Sequence, residues 1–377
     1  MSTSDKEKAL ETLRLFSEAC TVSITALQQP LSASSSSLTC AVLRKDFLSL
    51  LTLVYTSTTK LTLTLRPSEP SYTAASGPLR DLAQHISSLT TCAILFDAHG
   101  ATLSREVRTV AKEVIEALRC LSENFVNQGG QDYLVATGTV HDVVSQAQQS
   151  LSTDNISAVK KRWMSDRSML DDVLDEVAYM IETHGAGDEE DEDEGDLDDE
   201  WDELGLGAKK KMSEAELSRT KKVHPLLRFT TGLQKRVLLD IFPRISSQSP
   251  PVSNATLDAL PTHSHNLLIN SEELTAALYA PQDLANISSA ITSLAGAVSQ
   301  LQSALLDGAM LPPPRTPDAD ALAEGVSSMR VSNDGATEKP KTPTKDRDVR
   351  GWFDTCFMQI DRLSKSLNDI LASDSAN

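Results

Sequence analysis

The chain has 377 residues, of which 40% are hydrophobic and only 4% are aromatic. This length exceeds the ~250 to 300 residues at which a single hydrophobic core stops growing, so two domains are expected. The formal net charge of −18, without a dense basic stripe, argues against direct nucleic-acid binding, because Lys and Arg supply most of that affinity. The shortage of aromatic residues beside abundant Leu, Ala, Ser and Thr favours helices over a β-sandwich.

The five cysteines, Cys20, Cys40, Cys92, Cys120 and Cys356, are widely spaced and form no C-x-x-C pair. This pattern favours buried thiols in a reducing compartment over a disulfide framework or a zinc site. The first residues are charged, and no stretch approaches ~18 uninterrupted apolar residues, so neither a signal peptide nor a membrane contact is expected. We therefore predict a cytoplasmic and nuclear protein.

The first half of the chain carries six amphipathic stripes, in which apolar residues recur every three or four positions. They cover residues 5–29, 43–65, 79–96, 103–125, 134–151 and 169–180. Proline, glycine and serine clusters separate them, which is typical of the turns between helices. The pattern predicts an all-α fold in which residues 1–184 form an antiparallel, up-and-down helical bundle.

An acidic run follows, since 13 of the 53 acidic residues lie between Asp188 and Glu203. Charge repulsion there predicts that residues 185–211 form a disordered acidic and basic linker. Trp201, Leu204 and Leu206 interrupt the run at near-helical spacing. They suggest a partner-binding element, and the alternative is a solvated spacer.

The acidic run also has part of the spacing of a calcium-binding EF-hand loop. Glu190, Glu192 and Glu194 precede Gly195 with the right rhythm. The twelfth position, however, is Trp201, whereas the loop requires a bidentate Glu there. The sequence therefore does not favour a specific calcium site.

The second half of the chain predicts a further helical block at residues 212–310. His224-Pro225 is expected to break its first helix, and Pro250, Pro251 and Pro261 are expected to lie in a loop. Residues 350–374 carry a last apolar stripe. This stripe predicts a helix that docks on the second block, because its apolar side would otherwise face water.

Residues 311–349 are rich in Pro, Ser and Thr and are predicted to be disordered. Thr316 and Thr342 each precede a proline in this insert and have a basic residue nearby. Proline-directed phosphorylation of both is therefore a hypothesis, although a long disordered segment produces such pairs by chance.

The sequence contains none of the common motifs for nucleotide binding, serine hydrolysis or zinc proteolysis. His263 and His265 lie close together but lack a third metal ligand. We therefore expect no enzyme activity, cofactor, metal or small-molecule substrate. Lys209 to Lys211 and Lys221-Lys222 resemble a bipartite nuclear import signal, and charge compensation beside the acidic run is the alternative.

Three features together resemble the cyclin-D-binding protein family, the Grap- and cyclin-D-interacting proteins. They are the helical block through Gly185, the acidic stretch with Trp201-Asp-Glu-Leu204, and the terminal segment Trp352-Phe353-Asp-Thr-Cys-Phe357. The resemblance implies two helical bundles in a cell-cycle or transcriptional adaptor. Its implied partners are cyclin-D-like or helix-loop-helix proteins.

A cytoskeletal adaptor is the alternative interpretation. The long helices rich in Thr, Ala and Leu are similar to those of the vinculin and α-catenin bundles, and co-sedimentation with actin distinguishes the two functions.

Overall fold

A computed structural model describes residues 3–31, 37–127, 131–185, 212–314 and 348–375. Before residue 186 the α-helices are α1 (Thr3–Leu27), α2 (Cys40–Thr64), α3 (Tyr72–Leu95), α4 (Ala101–Asn127), α5 (Tyr133–Ser150) and α6 (Asn155–Gly185). After residue 211 they are α7 (Glu214–Arg236), α8 (Phe242–Ser247), α9 (Asn254–Ala277), α10 (Leu284–Asp307) and α11 (Val349–Ser375). A 3-10 turn, Phe96–His99, follows α3, and a π turn, Val237–Ile241, connects α7 to α8.

No strand occurs in these described ranges, so the predicted all-α class is confirmed. None of the described helices combines the length and the apolar character needed to cross a membrane. The vinculin-like arrangement of the helices remains a prediction. The disordered linker and the disordered insert also remain predictions, because residues 186–211 and 315–347 lie outside the described part of the chain.

The chain divides into two compact units. The first contains residues 1–161 together with Ser253–Asp258, and the second contains residues 162–252 and 259–377. Helices α6 and α9 therefore each contribute residues to both units. The predicted domain ranges remain predictions about which pieces fold independently.

Side-chain hydrogen bonds show that α1 and α4 run in opposite directions in the first unit. The Ser122 hydroxyl, near the end of α4, donates to the carbonyl of Leu13 in the first half of α1 at 2.8 Å. At the other end of the pair, the Arg108 guanidinium donates to the Leu27 carbonyl at 3.1 Å. Helix α1 also packs on α3.

Helix α2 is antiparallel to both of its neighbours. Ser57 lies 3.4 Å from the His85 ring on α3, and the Cys92 thiol lies 3.7 Å from the Leu43 carbonyl. Towards α5, Gln148 donates to the Thr52 hydroxyl at 2.9 Å. Further helix pairs in this unit are α3 with α4 and α4 with α5. These contacts enclose one apolar core.

The core of the first unit is made of aliphatic side chains around a pair of aromatic rings. Phe47 and Phe96 are fully buried and meet edge to face, with ring centroids 6.2 Å apart. Burial also raises the pKa of the Cys20 thiol to about 12, so this cysteine stays protonated and packs as an apolar residue.

In the second unit, Trp163 of α6 is buried at the junction with α7. Its indole N–H donates to the Gln234 carbonyl at 3.0 Å, and its ring meets Phe242 at 6.0 Å between centroids. The Gln234 side chain in turn donates to the Ser264 hydroxyl of α9 at 3.0 Å. This polar chain lies one turn before the π turn and ties three helices together.

Helix α11 packs on α7 and α10 in the second unit. Phe353 and Phe357 are buried there, and the Arg236 guanidinium lies 4.9 Å above the Trp352 ring. Asn368 connects α11 to α10, where it accepts from Ser288 at 3.0 Å. The terminal aromatic segment is therefore part of a core.

Two predicted breaks are wrong. Helix α7 continues through Pro225, and α9 contains Pro261. A proline removes one helical N–H but does not end a helix whose flanking residues are held by tertiary packing. Val223, Leu226 and Leu260 beside these prolines are all buried.

Two apolar residues assigned to core stripes are also exposed. Leu134 is 67% exposed and Met169 is 48% exposed, whereas Val144 and Leu170 are buried. On α6 the predicted positions Val173, Val177 and Met180 are buried, and only the first position is wrong, because Leu170 is buried in place of Met169. On α5 the buried face excludes the first predicted position, Leu134.

Candidate partner-binding groove

Helix α4 presents two different faces. Its core face is buried and mainly apolar, through Leu103, Val107, Ala111, Val114, Leu118, Leu121 and Phe125. The opposite face carries Arg105, Thr109, Lys112, Glu113, Glu116, Cys120, Glu123, Asn124 and Asn127, with the buried Ala117 at its edge, and these residues recur every three or four positions. Because residues at this spacing line one side of a helix, the second set forms a single continuous surface.

This outer face and the adjacent side of α5 enclose a depression of about 430 Å³. Its walls are mainly apolar, and Ala117, Cys120, Ala136, Thr139 and Val143 line it. The side chains of Ala117, Cys120 and Ala136 are too small to fill the depression. Val143 is half-buried, and Cys120 and Thr139 are exposed.

Two further depressions continue it in both directions. One, of about 490 Å³, lies beside the Leu27 to Leu31 segment and shares Thr109 and Lys112 with the central depression. The other, of about 330 Å³, shares Cys120 and Ala136 with it. We call the three together the α4 groove. From Arg105 to Asn127 it is about 33 Å long, at ~1.5 Å per helical residue.

Charge is distributed unevenly along the α4 groove. Arg105 and Lys112 line the depression at its first end, Glu113 and Glu116 line the central depression, and Glu123 and Asp132 line the depression at its second end. The groove therefore has a basic end and an acidic end.

Arg119 organises the acidic end. It donates to Glu123 at 2.7 Å and to Glu116 at 3.1 Å. The hydrogen bond from Arg119 holds the pKa of Glu116 below its ordinary value, so this carboxylate stays ionised. Burial, followed by the charge of Glu116, raises the pKa of the neighbouring Cys120 thiol, which favours the neutral form there.

An ion pair anchors α4 near the basic end of the groove. The Arg108 guanidinium pairs with Asp97 at 2.5 Å, and the two side chains are 8% and 0% exposed. Arg108 also donates to the Leu27 and Gln29 carbonyls at 3.1 and 2.7 Å. One side chain thus satisfies the carbonyl end of α1 and fixes α4 against it.

The first turn of α4 is capped from far along the sequence. The Asp258 carboxylate accepts from the Ala101 N–H at 2.7 Å and from the Thr102 N–H at 2.8 Å. Asn155 donates to the same carboxylate at 3.1 Å and accepts from the Leu103 N–H at 3.1 Å. A negative charge at a helix N-terminus complements the helix dipole, so this contact stabilises α4.

Gly100 leaves room for this cap. Its φ of +117° is unfavourable for other residues, and a Cβ there would lie 2.2 Å from Asn155.

The residues singled out from sequence are not in the groove. Trp201, Leu204 and Leu206, and the candidate phosphorylation sites Thr316 and Thr342, all lie outside the described residues. Within the ranges that the structure does describe, no group of three or more His, Cys, Asp or Glu side chains is placed to hold a metal ion.

Sequence reasoning did not identify the α4 groove. The available signal was weak, because Ala117 and Cys120 on the charged face of α4 look like ordinary helix positions. Leu134 and Val135 at the start of α5 were a second signal, since tandem apolar residues cannot both face one core.

The fold and this surface define an all-α protein with an open groove along one of its helices. Two family models match the chain: the Grap2 and cyclin-D-interacting N-terminal model over residues 46–183, and the C-terminal model of the same description over residues 197–303. Together they cover more than half of the sequence. The chain belongs to the Grap2 and cyclin-D-interacting protein family, which confirms the resemblance found in the sequence.

The two matches include some of the features discussed above and leave out others. The whole of α4 and α5 falls within the first match, and Trp201, Leu204 and Leu206 fall within the second. The Trp352 to Phe357 segment lies beyond both. A comparison with curated proteins found no significant match.

Proposed function

We propose that this chain is a non-catalytic helical adaptor that regulates protein–protein interactions in cell-cycle or transcriptional control. The observation that carries the proposal is the match of both family models, whose description names interaction with Grap2 and cyclin D. Its partners are cyclin-D-like or helix-loop-helix proteins, and it acts without nucleic acid, membrane or small-molecule substrate in the cytoplasm and nucleus.

A binding experiment with purified proteins tests this function. The full chain is immobilised and presented with a D-type cyclin, a helix-loop-helix domain and an unrelated helical protein at physiological salt. Retention of the cyclin or the helix-loop-helix domain, without the unrelated protein, is the expected result. Co-sedimentation with filamentous actin in place of such retention would support the cytoskeletal alternative and contradict the proposal.

Within this function, Trp201, Leu204 and Leu206 form a partner-binding element. Apolar side chains embedded in a dense run of carboxylates are poorly suited to a spacer, and the element lies inside the second family match. The carboxylates speed the encounter with a basic surface, while the Trp and Leu side chains supply buried contacts.

Two variants distinguish these roles. Trp201→Ala with Leu204→Ala is expected to abolish retention of the partner, since a buried aromatic anchor commonly contributes ~2 kcal/mol or more. Neutralising Asp191 to Glu194 while keeping Trp201 is expected mainly to slow association. Wild-type retention by the Trp and Leu variant would assign the segment to a spacer.

Modification and nuclear import are the regulatory part of the proposal. Thr316 and Thr342 would each gain about two negative charges on phosphorylation. Phosphopeptide mass spectrometry of the chain treated with a proline-directed kinase tests both sites. Replacing Lys209 to Lys211 with Gln and following the distribution of the protein between nucleus and cytoplasm tests the import signal.

A further inference from the structure

We propose that the α4 groove receives one amphipathic α-helix of a partner protein, and that this helix runs antiparallel to α4. The inference rests on the proposed protein-binding function and adds to it the site and the chemistry of the ligand. The bound helix carries large apolar residues on one side, basic residues in its N-terminal half and acidic residues in its C-terminal half.

The dimensions and floor of the groove fit a helix. A length of about 33 Å accommodates about 22 residues of α-helix. Ala117, Ala136 and Thr139 line the floor of the central depression, so a partner helix can approach within the ~8 to 10 Å that packed helices adopt. Large apolar side chains spaced by three and four residues would then fill the depression.

The charges of the groove set the direction of the helix. Its N-terminus, which carries a partial positive charge, is favoured at the acidic end beside Glu123 and Asp132. Its C-terminus is favoured at the basic end beside Arg105 and Lys112. This direction is opposite to that of α4, whose first residues lie at the basic end, and the side-chain charges of the partner follow the same polarity.

A pair of designed peptides tests the proposal on the full chain. Both have 22 residues and the same leucine stripe. The matched peptide has Lys in its N-terminal half and Glu in its C-terminal half, and the swapped peptide has these charges exchanged. The swapped peptide is the better helix in isolation, because its charges suit its own dipole, so helicity alone favours the wrong peptide. We expect the matched peptide to bind at least tenfold more tightly by fluorescence anisotropy, with a difference that shrinks as salt is raised.

A blocking variant with a matched control locates the binding site. Thr139 and Thr56 are both exposed, lie within helices, and donate to the carbonyl four residues earlier. Thr139 lines the groove, whereas Thr56 lies on α2. Thr139→Arg is therefore expected to weaken binding of the matched peptide at least tenfold, and Thr56→Arg is expected to leave it unchanged.

Charge reversal tests the orientation. Lys112→Glu at the basic end is expected to weaken binding of the matched peptide and to strengthen binding of the swapped peptide, each about threefold to tenfold. Lys60→Glu, at an exposed position on α2, is the control and should alter neither.

Several results would overturn the proposal. They are equal binding of the two peptides, binding of neither, or matched-peptide binding that survives Thr139→Arg. A dimer of the chain that Thr139→Arg dissociates would assign the groove to a second copy. Binding seen only after residues 188–203 are removed would assign it to this chain's own acidic run. Retention of the cyclin or the helix-loop-helix domain by Thr139→Arg, with no peptide binding to the wild type, would leave the proposed function standing and refute the groove.

Discussion

Arg108 concentrates several structural roles in one side chain. It neutralises the buried Asp97 carboxylate and donates hydrogen bonds to the carbonyls of Leu27, the last residue of α1, and of Gln29 just after it. Arg108→Ala is expected to destabilise the first unit by about 3–5 kcal/mol, because the variant leaves a carboxylate buried without its cation. Hydrogen exchange followed by mass spectrometry measures this in peptides from α1 and α4.

A surface arginine provides the control. Arg14 pairs with Glu11 at 3.5 Å, and both side chains are more than half exposed. Arg14→Ala should cost less than ~1 kcal/mol, as surface ion pairs do. Equal protection of α4 in the wild type and in Arg108→Ala would show that the ion pair is not a structural requirement.

Leu118 tests the core face of α4, which the sequence predicted and the structure confirms. Its side chain is 1% exposed. Leu118→Asp places a carboxylate in an apolar core and is expected to cost about 4 kcal/mol or more. The control is Thr109→Asp, at an exposed position on the same helix. If denaturant unfolding gave both variants the same midpoint, the assigned face of α4 would be wrong.

At the scale of elements, the sequence predicted the existence of most helices and the buried side of several. Prediction from sequence failed where tertiary contacts determine whether a helix continues. Pro225 and Pro261 are breaking signals by local rules, yet buried neighbours hold their helices together. The groove was not predictable, because the stripe pattern reports which side of α4 is buried and not which helices leave the other side uncovered.

Trp163 connects α6 to α7 through its indole hydrogen bond. Trp163→Phe is expected to destabilise the second unit by about 2 kcal/mol, through loss of the indole hydrogen bond to Gln234 and of ring volume. The half-buried Trp352 is the comparison, and Trp352→Phe should cost less. Thermal unfolding monitored by circular dichroism gives both values, and an equal loss in the two variants would contradict this account of α6.

At the scale of the whole molecule, residues distant in sequence complete the first unit. Asp258→Ala is expected to destabilise the first turn of α4 by about 1–2 kcal/mol and to speed hydrogen exchange at residues 101–104. Asp258→Asn should destabilise this turn less than Asp258→Ala, because an amide oxygen still accepts hydrogen bonds. Asp283→Ala removes the cap of α10 and should leave residues 101–104 unaffected.

Residues 1–184 are predicted to fold alone, but the Asp258 cap of α4 lies outside this fragment. That fragment contains the apolar core of the first unit but lacks Asn254 and Asp258. We expect it to give a helical circular dichroism spectrum and one sigmoidal melt, with faster exchange at the start of α4 than in the full chain. Substantial sheet signal, or exchange there as slow as in the full chain, would contradict this expectation.

The distant cap also imposes an order on synthesis. After residues 1–161 have emerged from the ribosome, about 90 more residues must be translated before Ser253–Asp258 emerge. At ~5 to 20 residues per second this takes roughly 5 to 20 s, far longer than helices need to form and collapse. During this interval the nascent first unit has Asn155 as an acceptor for the Leu103 N–H, but the Ala101 and Thr102 N–H groups wait for the Asp258 carboxylate.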